Sequence, residues 1–308
     1  MTRQRMFPSC RLMMVAFSTV WLVALLAGPI AAQDKRKVPT DDELAKMSEA
    51  LPEKARVTPA QPRKLLVFNR CEGFRHSAIP YGAAAIKLMG EKTGAFVTVE
   101  NDDMSVFDPA KLRQFDAVVF NNTVSLRFED PAYRQALIDF VHGGKGMIGI
   151  HGGADNFKNW PEGAAMMGAV FSGHPWGACP VKLDDPKHPL LKAFDGKGFW
   201  IRDEIYKFKD PYSRDKLRVL LSMDAEKGDP DKRGRPDGDS AVAWIQQVGK
   251  GRVFYCSLGH QHQIFWNPVL LQFYLDGIQF ALGDLKADTT PSAKLKPQPK
   301  PALPPEKE

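Results

Sequence analysis

The stretch Gly146-Met147-Ile148-Gly149-Ile150-His151-Gly152-Gly153-Ala154-Asp155 constrains the fold of this chain more than any other. Met147, Ile148 and Ile150 form a short apolar run without alternation, the pattern of a strand covered on both faces, as in a parallel sheet. The glycines that follow permit positive φ and close backbone approach, so the strand must run into a tight turn with an imidazole at its tip. In open α/β sheets, ligands bind at the edge where the strands end. The same turn geometry carries the nucleophile in Gly-x-Ser-x-Gly and Gly-x-Cys-x-Gly hydrolases. Here the pattern reads Gly149-Ile150-His151-Gly152-Gly153. Histidine at the nucleophile position argues against ordinary acyl transfer and leaves a general base, an electrostatic partner or a metal ligand.

Strand and helix alternate on the way to that turn. Apolar runs at 64–69, 96–100 and 116–121 read as strands. Residues 79–92 carry Ala83, Ile86 and Met89 at helical spacing and stop at Gly94, and 131–141 starts with Asp130 as cap and Pro131 in first position. This order predicts a doubly wound, mostly parallel sheet with right-handed crossovers. Beyond the turn the pattern is less regular. A helix is expected at 160–170, a loop at 172–177, a short strand at 180–183, and one strand over 199–208 with Asp203 and Glu204 in its middle. A further strand at 217–223, an exposed charged excursion at 224–239, a hairpin of 241–247 with 251–257, and a last helix at 268–281 complete the domain.

The flanks read differently. Arg3, Arg5 and Arg11, an apolar run over 12–26 and the small residues Ala31 and Ala32 form the pattern of a secretory signal peptide over 1–32. An uncleaved anchor is the runner-up, because an apolar run of about 15 residues falls short of the ~20 a spanning helix needs. Cleavage would remove three arginines and no acidic residue, taking the formal net charge from +6 to +3. With no Lys/Arg cluster interleaved with aromatics, nucleic-acid binding is not expected. Residues 33–62 read as a linker with one short helix at 41–51, 63–284 as the domain, and 285–308 as a disordered Lys/Pro-rich tail. Cys71, Cys179 and Cys256 permit at most one disulfide, and they read better as small buried residues.

Six polar residues stand at strand ends or in irregular loops: His76, His151, His174, Asp203, Glu204 and His260. Four of them are among the chain's seven histidines. Such a set suits an acid/base site or a metal site, although none has the tight spacing of His-Glu-x-x-His. Bland readings stand beside these: His76 also suits a helix cap, and His174, before Pro175, also suits packing against Trp176. Asp203 and Glu204 must point to opposite faces of their strand, because the side-chain period is two. A buried carboxylate needs a partner or a site.

These motifs carry a resemblance. Phe74-Arg75-His76, Gly149-Ile150-His151-Gly152, Phe171-Ser172-Gly173-His174-Pro175, Asp203-Glu204-Ile205-Tyr206, Ala243-Trp244, and the run from Gly249 to His260 resemble the ThuA-like, trehalose-utilisation family over about residues 63–284. The resemblance implies a flavodoxin-like three-layer α/β sandwich similar to class I glutamine amidotransferases. It also implies a place in disaccharide catabolism beside sugar dehydrogenases that make 3-keto sugars. His151 in place of the nucleophilic cysteine sets the chain apart from the amidotransferases.

Two functions are expected to compete. In the first, an exported enzyme processes a glycoside or keto-glycoside with His151, Glu204 and Asp203 as catalytic groups, and His76, His174, Trp176 and Trp266 bind the sugar. His76, His151, Glu204 and His260 are then the expected ligands of zinc or another divalent metal, with no nucleotide cofactor. In the second, a non-catalytic carbohydrate-binding module stacks sugar rings on Trp160, Trp176, Trp244 and Trp266.

Overall fold

The computed structural model describes residues 38–227 and 237–306. The signal peptide expected over 1–32 and most of the excursion expected at 224–239 lie outside the described residues. In chain order the elements are α1 (Asp41–Ala50), β1 (Lys64–Phe68), α2 (Ile79–Thr93), β2 (Val97–Asn101), α3 (Pro109–Leu112), β3 (Ala117–Asn121), α4 (Pro131–His142), β4 (Gly146–Ile150), α5 (Pro161–Met167), β5 (Val170–Gly173), β6 (Trp176–Leu183), β7 (Phe199–Glu204), β8 (Lys207–Lys209), β9 (Arg218–Met223), β10 (Ala241–Val248), β11 (Gly251–Cys256) and α6 (Pro268–Leu282).

Nine strands form one sheet in the order β2-β1-β3-β4-β11-β10-β9-β6-β7. From β2 to β11 the neighbours are parallel, and β10, β9, β6 and β7 extend the sheet by antiparallel pairing. Strand alternation divides the core in two. Leu65, Val67, Val119 and Ile148 face a cluster with residues of α1, α2 and α6, whereas Leu66, Phe68, Phe120 and Met147 face residues of α3, α4 and α5. Helices therefore cover both faces, which makes the three-layer α/β sandwich.

Local chemistry sets the helix ends. Asp130 accepts a hydrogen bond from the Ala132 amide at the start of α4, and Asn267 Oδ1 accepts from Val269 and Leu270 at the start of α6. Gly94, in the left-handed region at φ +65°, closes α2. Within β4, Gly149 is required by packing: a Cβ there would lie 2.6 Å from Met167 Sδ and 2.7 Å from the Tyr255 ring. The chain leaves β1 for β2 on one side and then crosses to β3 on the other. The loops after β1 and β3 thus flank a topological switch point, where such sheets form their ligand crevice.

Several expectations are corrected. The helix expected at 160–170 ends at Met167, because Gly168 turns left-handed at φ +99° and β5 begins at Val170. The loop expected at 172–177 instead holds the end of β5, the start of β6 and a turn between them. The strand expected over 199–208 breaks after Glu204: the Tyr206 amide donates to Ser257 Oγ, and β8 pairs with β5 in a separate two-stranded sheet.

The described part of the expected linker is packed onto the domain, with Met47 and Leu51 buried. Arg56 makes a bidentate pair with Asp276 of α6, at 2.8 and 2.6 Å, and its backbone amide donates to Gln279 Oε1. The expected tail also lies along the domain. Ser292 Oγ accepts from the Val219 amide, Ala302 exchanges two backbone hydrogen bonds with Leu183, and the Pro305 carbonyl accepts from the Trp200 indole. Composition reports how well such a segment is solvated, but it does not register the unpaired strand-end groups that the segment can cover. Among the described residues, no helix is long and apolar enough to cross a membrane.

Candidate functional site

β4 delivers His151 into a 3-10 turn, His151–Ala154, at the carboxyl edge of the sheet. His151 has φ +45°, a conformation that costs a non-glycine residue roughly 1–3 kcal/mol and persists only where its surroundings enforce it. Here they do. The Tyr255 hydroxyl donates to the His151 carbonyl at 2.8 Å, and His151 Nδ1 lies 2.7 Å from the Ser257 carbonyl. A carbonyl can only accept, so Nδ1 carries a proton and donates it to Ser257, which leaves Nε2 as the ring nitrogen turned toward the cluster. That Nε2 is buried without a hydrogen-bond partner. Gly152 is fixed by close approach, since a Cβ would stand 2.9 Å from the Thr123 carbonyl.

His76 comes from the loop after β1. Its ring meets the His151 ring edge-on at a centroid distance of 4.7 Å and the His260 ring at 5.3 Å. The residue is buried, its Nδ1 has no hydrogen-bond partner, and its ring hydrogen-bonds the backbone of Asn122. Burial, reinforced by the neighbouring imidazoles, pushes its pKa down to about 3, so it is neutral at physiological pH.

Glu204 ends β7 and reaches the same point. Its Oε1 is 3.6 Å from His151 Nε2, and its Oε2 is 3.5 Å from both His260 Nδ1 and His174 Nδ1. Burial alone would raise its pKa, but the surrounding imidazoles outweigh burial and hold the carboxyl below its usual range. His260, in the loop after β11, has its pKa lowered chiefly by burial. One ligand atom from each of His76, His151, Glu204 and His260 lies within 4.8 Å of every other. His174 stands at the rim, with its side chain 44% exposed against 12% for Glu204.

Asp203 points the other way, as the strand period requires. Although expected to be catalytic, it has its Oδ2 bonded to the Gly259 amide at 2.7 Å and its Oδ1 to the Gln261 amide at 2.9 Å. The carboxylate, fully buried, holds the loop on both sides of His260; burial raises its pKa against the pull of these bonds and of His151. Adjacent residues thus divide the work, with Glu204 in the cluster and Asp203 on the loop that presents His260.

The tryptophans are placed differently. Trp244 is fully buried, donating to the Met167 carbonyl, and Trp160 packs against Phe128 and Phe157 in the core. Neither is available to stack on a sugar. Trp266 packs on the core beside Tyr81, 6.2 Å away between ring centroids, and the side chain of Trp176 lies outside the described atoms. Three further residues, none marked by the sequence pattern, contact His151: Tyr255, Ser257 and Tyr206, whose ring lies 4.3 Å from that of His151. Tyr255 and Ser257 meet His151 only when β11 pairs with β4, and Tyr206 is brought there by the bond from its amide to Ser257 Oγ, so no local signal carries these contacts.

Fold and site together define a flavodoxin-like α/β protein with a histidine–glutamate cluster at the carboxyl edge of its sheet. Over residues 64–281 the chain matches the ThuA family, described as trehalose utilisation, and it belongs to that family. Its fold is similar to that of a ThuA-like protein of Bacteroides uniformis, at 22% identity and TM-score 0.57 over 72% of this chain and 93% of the other. A ThuA-like protein of Parabacteroides merdae shares it at 16% identity and TM-score 0.55, over 74% of this chain and 93% of that one. The chain has no match among curated proteins.

Proposed function

We propose that this chain is an exported, metal-dependent enzyme of disaccharide or 3-keto-glycoside catabolism, with His76, His151, Glu204 and His260 holding zinc or another divalent ion. One observation carries the reading. Nitrogen and oxygen ligands about 2.0–2.1 Å from a tetrahedral zinc stand about 3.4 Å apart. His151 Nε2 stands 3.6 Å from Glu204 Oε1 and His260 Nδ1 stands 3.5 Å from Glu204 Oε2, each close to that edge, and one atom from each of the four residues lies within 4.8 Å of every other. The donor chemistry agrees: two imidazole nitrogens, His76 Nδ1 and His151 Nε2, are buried without hydrogen-bond partners beside a carboxylate held ionised. The Ser257 carbonyl behind His151 supplies the outer partner that orients a metal-ligating imidazole.

A bound divalent ion would supply Lewis acidity toward a sugar oxygen. The protein's own contribution is to bury His76 and His151 beneath the rim and to place the more exposed His174 beside Glu204. The substrate class, a small carbohydrate, rests on the family's description as trehalose utilisation. A 3-keto group acidifies the neighbouring C–H, so cleavage by elimination stands beside hydrolysis as the reaction, and a sugar dehydrogenase is the functional partner that would supply such a substrate. Export rests on the N-terminal pattern of basic, apolar and small residues.

The test is metal analysis of chelator-stripped, zinc-reloaded protein, followed by turnover of trehalose and keto-disaccharides. About one equivalent of zinc is expected in the wild type and a clear loss in His151→Ala, Glu204→Ala and His260→Ala. Protein that takes up no zinc, manganese or nickel would retire the metal, and metal-loaded protein inert toward every disaccharide would retire the substrate class.

A further inference from the structure

Phe74 lies two residues before His76 and is 67% exposed, the one aromatic among the five large apolar side chains exposed in the described residues. Its ring meets the His76 ring edge-on at a centroid distance of 4.9 Å, and His76 in turn touches both His151 and His260. One ring therefore stands in water directly beside a buried polar cluster.

The loop carrying it is tied down. The Glu72 amide donates to the Val124 carbonyl, and the Glu72 carboxylate accepts from the Arg127 amide at 3.1 Å and from Arg70 Nε at 2.9 Å. At Gly73 a Cβ would stand 2.8 Å from Ser125 Oγ, so the backbone lies close against the neighbouring loop. Phe74 is thus presented on a braced turn.

Its surroundings select the occupant. Glu72, Gly73, Arg75 and Ser77, the near neighbours in sequence, are exposed as well, so charged and hydroxyl groups flank the ring along its loop. A single aromatic face set among charged and hydroxyl groups suits a ligand with one apolar face and a polar perimeter, as a pyranose ring has. We infer that Phe74 is the stacking platform of the substrate site, holding one sugar ring of a disaccharide so that its neighbouring oxygens reach the cluster beyond His76. This rests on the carbohydrate reading above, and it replaces Trp266, which the fold places beside Tyr81 and which was one of two tryptophans expected to bind sugar.

The experiment titrates zinc-loaded wild type, Phe74→Ala, Phe74→Leu and Phe74→Trp with trehalose, maltose and sucrose. Affinity is read by calorimetry and ring stacking by upfield shifts of the sugar protons. Metal content is measured on each variant and is expected to stay at the wild-type level. Phe74→Ala and Phe74→Leu should weaken binding about 5–20-fold and abolish the upfield shifts, while Phe74→Trp should stay within about threefold. Equal affinity in wild type and Phe74→Ala would overturn the platform while leaving the carbohydrate reading intact. No binding of any of the three sugars by wild type would overturn both.

Discussion

Replacing Arg56 by methionine tests whether the segment before β1 is structurally part of the domain. Asp276 sits on α6 with no exposed side-chain surface, and Arg56 gives it two hydrogen bonds, at 2.8 and 2.6 Å. Methionine fills most of the arginine's volume but leaves the carboxylate with one neutral donor, Gln272 Nε2 at 2.8 Å. Breaking a buried pair in this way costs about 3–5 kcal/mol, because the surviving charge stays desolvated. For a domain of this size that lowers Tm by about 6–20 °C. Burial already raises the Asp276 pKa even with Arg56 pulling it down, and removing the arginine raises it further. A carboxyl with a raised folded-state pKa loses stability as pH climbs through that pKa, so the deficit of Arg56→Met must shrink on acidification. Urea unfolding at neutral pH and near pH 5 reads both effects, and Arg56→Met/Asp276→Leu should recover most of the loss. A deficit under about 1 kcal/mol at neutral pH would refute the reasoning, since the carboxylate would then be hydrated or otherwise partnered.

Other predictions concern the site and the C-terminal segment. Glu204→Gln should weaken zinc binding by more than about 100-fold, beyond the 10–100-fold typical of losing an outer-shell partner, when measured by competition with a chromophoric chelator. Asp203→Asn should fall within that 10–100-fold range, because an amide NH2 would face one of the two backbone amides that Asp203 now accepts from. The thermal shift produced by zinc should shrink in Asp203→Asn, whereas a purely structural loss would lower apo and loaded Tm equally. His188 accepts from the Leu190 amide and lies 3.1 Å from the Asp288 carbonyl, and burial lowers its pKa. The unfolded chain therefore binds more protons than the folded one below about pH 6.5, and stability falls as pH drops through that value. In chelator, His188→Asn should lose less stability than wild type between about pH 7.5 and 5.5 by urea midpoint; parallel profiles would show that His188 is already solvated.

How legible these features are depends on how local their causes are. The uniform apolar runs at Leu65–Phe68 and Val118–Phe120 and the caps Asp130 and Gly94 act within a few residues, and the parallel half of the sheet follows from them. Strand parity alone separates Asp203 from Glu204. For Trp160 and Trp244 the sequence is ambiguous, because an indole suits a sugar platform and a core equally well. Only packing decides between the two, through the bond from Trp244 to the Met167 carbonyl and the rings of Phe128 and Phe157 around Trp160. Likewise Phe74 lies inside a recognised motif, but its exposure is a property of the folded loop.

The two flanking segments also bear on the order in which the molecule can assemble. Arg56 and Asp276 are 220 residues apart in sequence, His151 and Ser257 are 106 apart, and Leu183 is bonded to Ala302. Contacts so distant must wait for loop closure across a third of the chain or more, and proteins dominated by them fold slowly. The central strand β4 lacks its β11 neighbour until the last third of the chain is present, so during synthesis it stays an open template for wrong partners. Neither strap can dock before its distant partner exists. The cluster at the sheet edge draws on residues from His76 to His260, so it cannot be complete until β11 and the loop after it are in place.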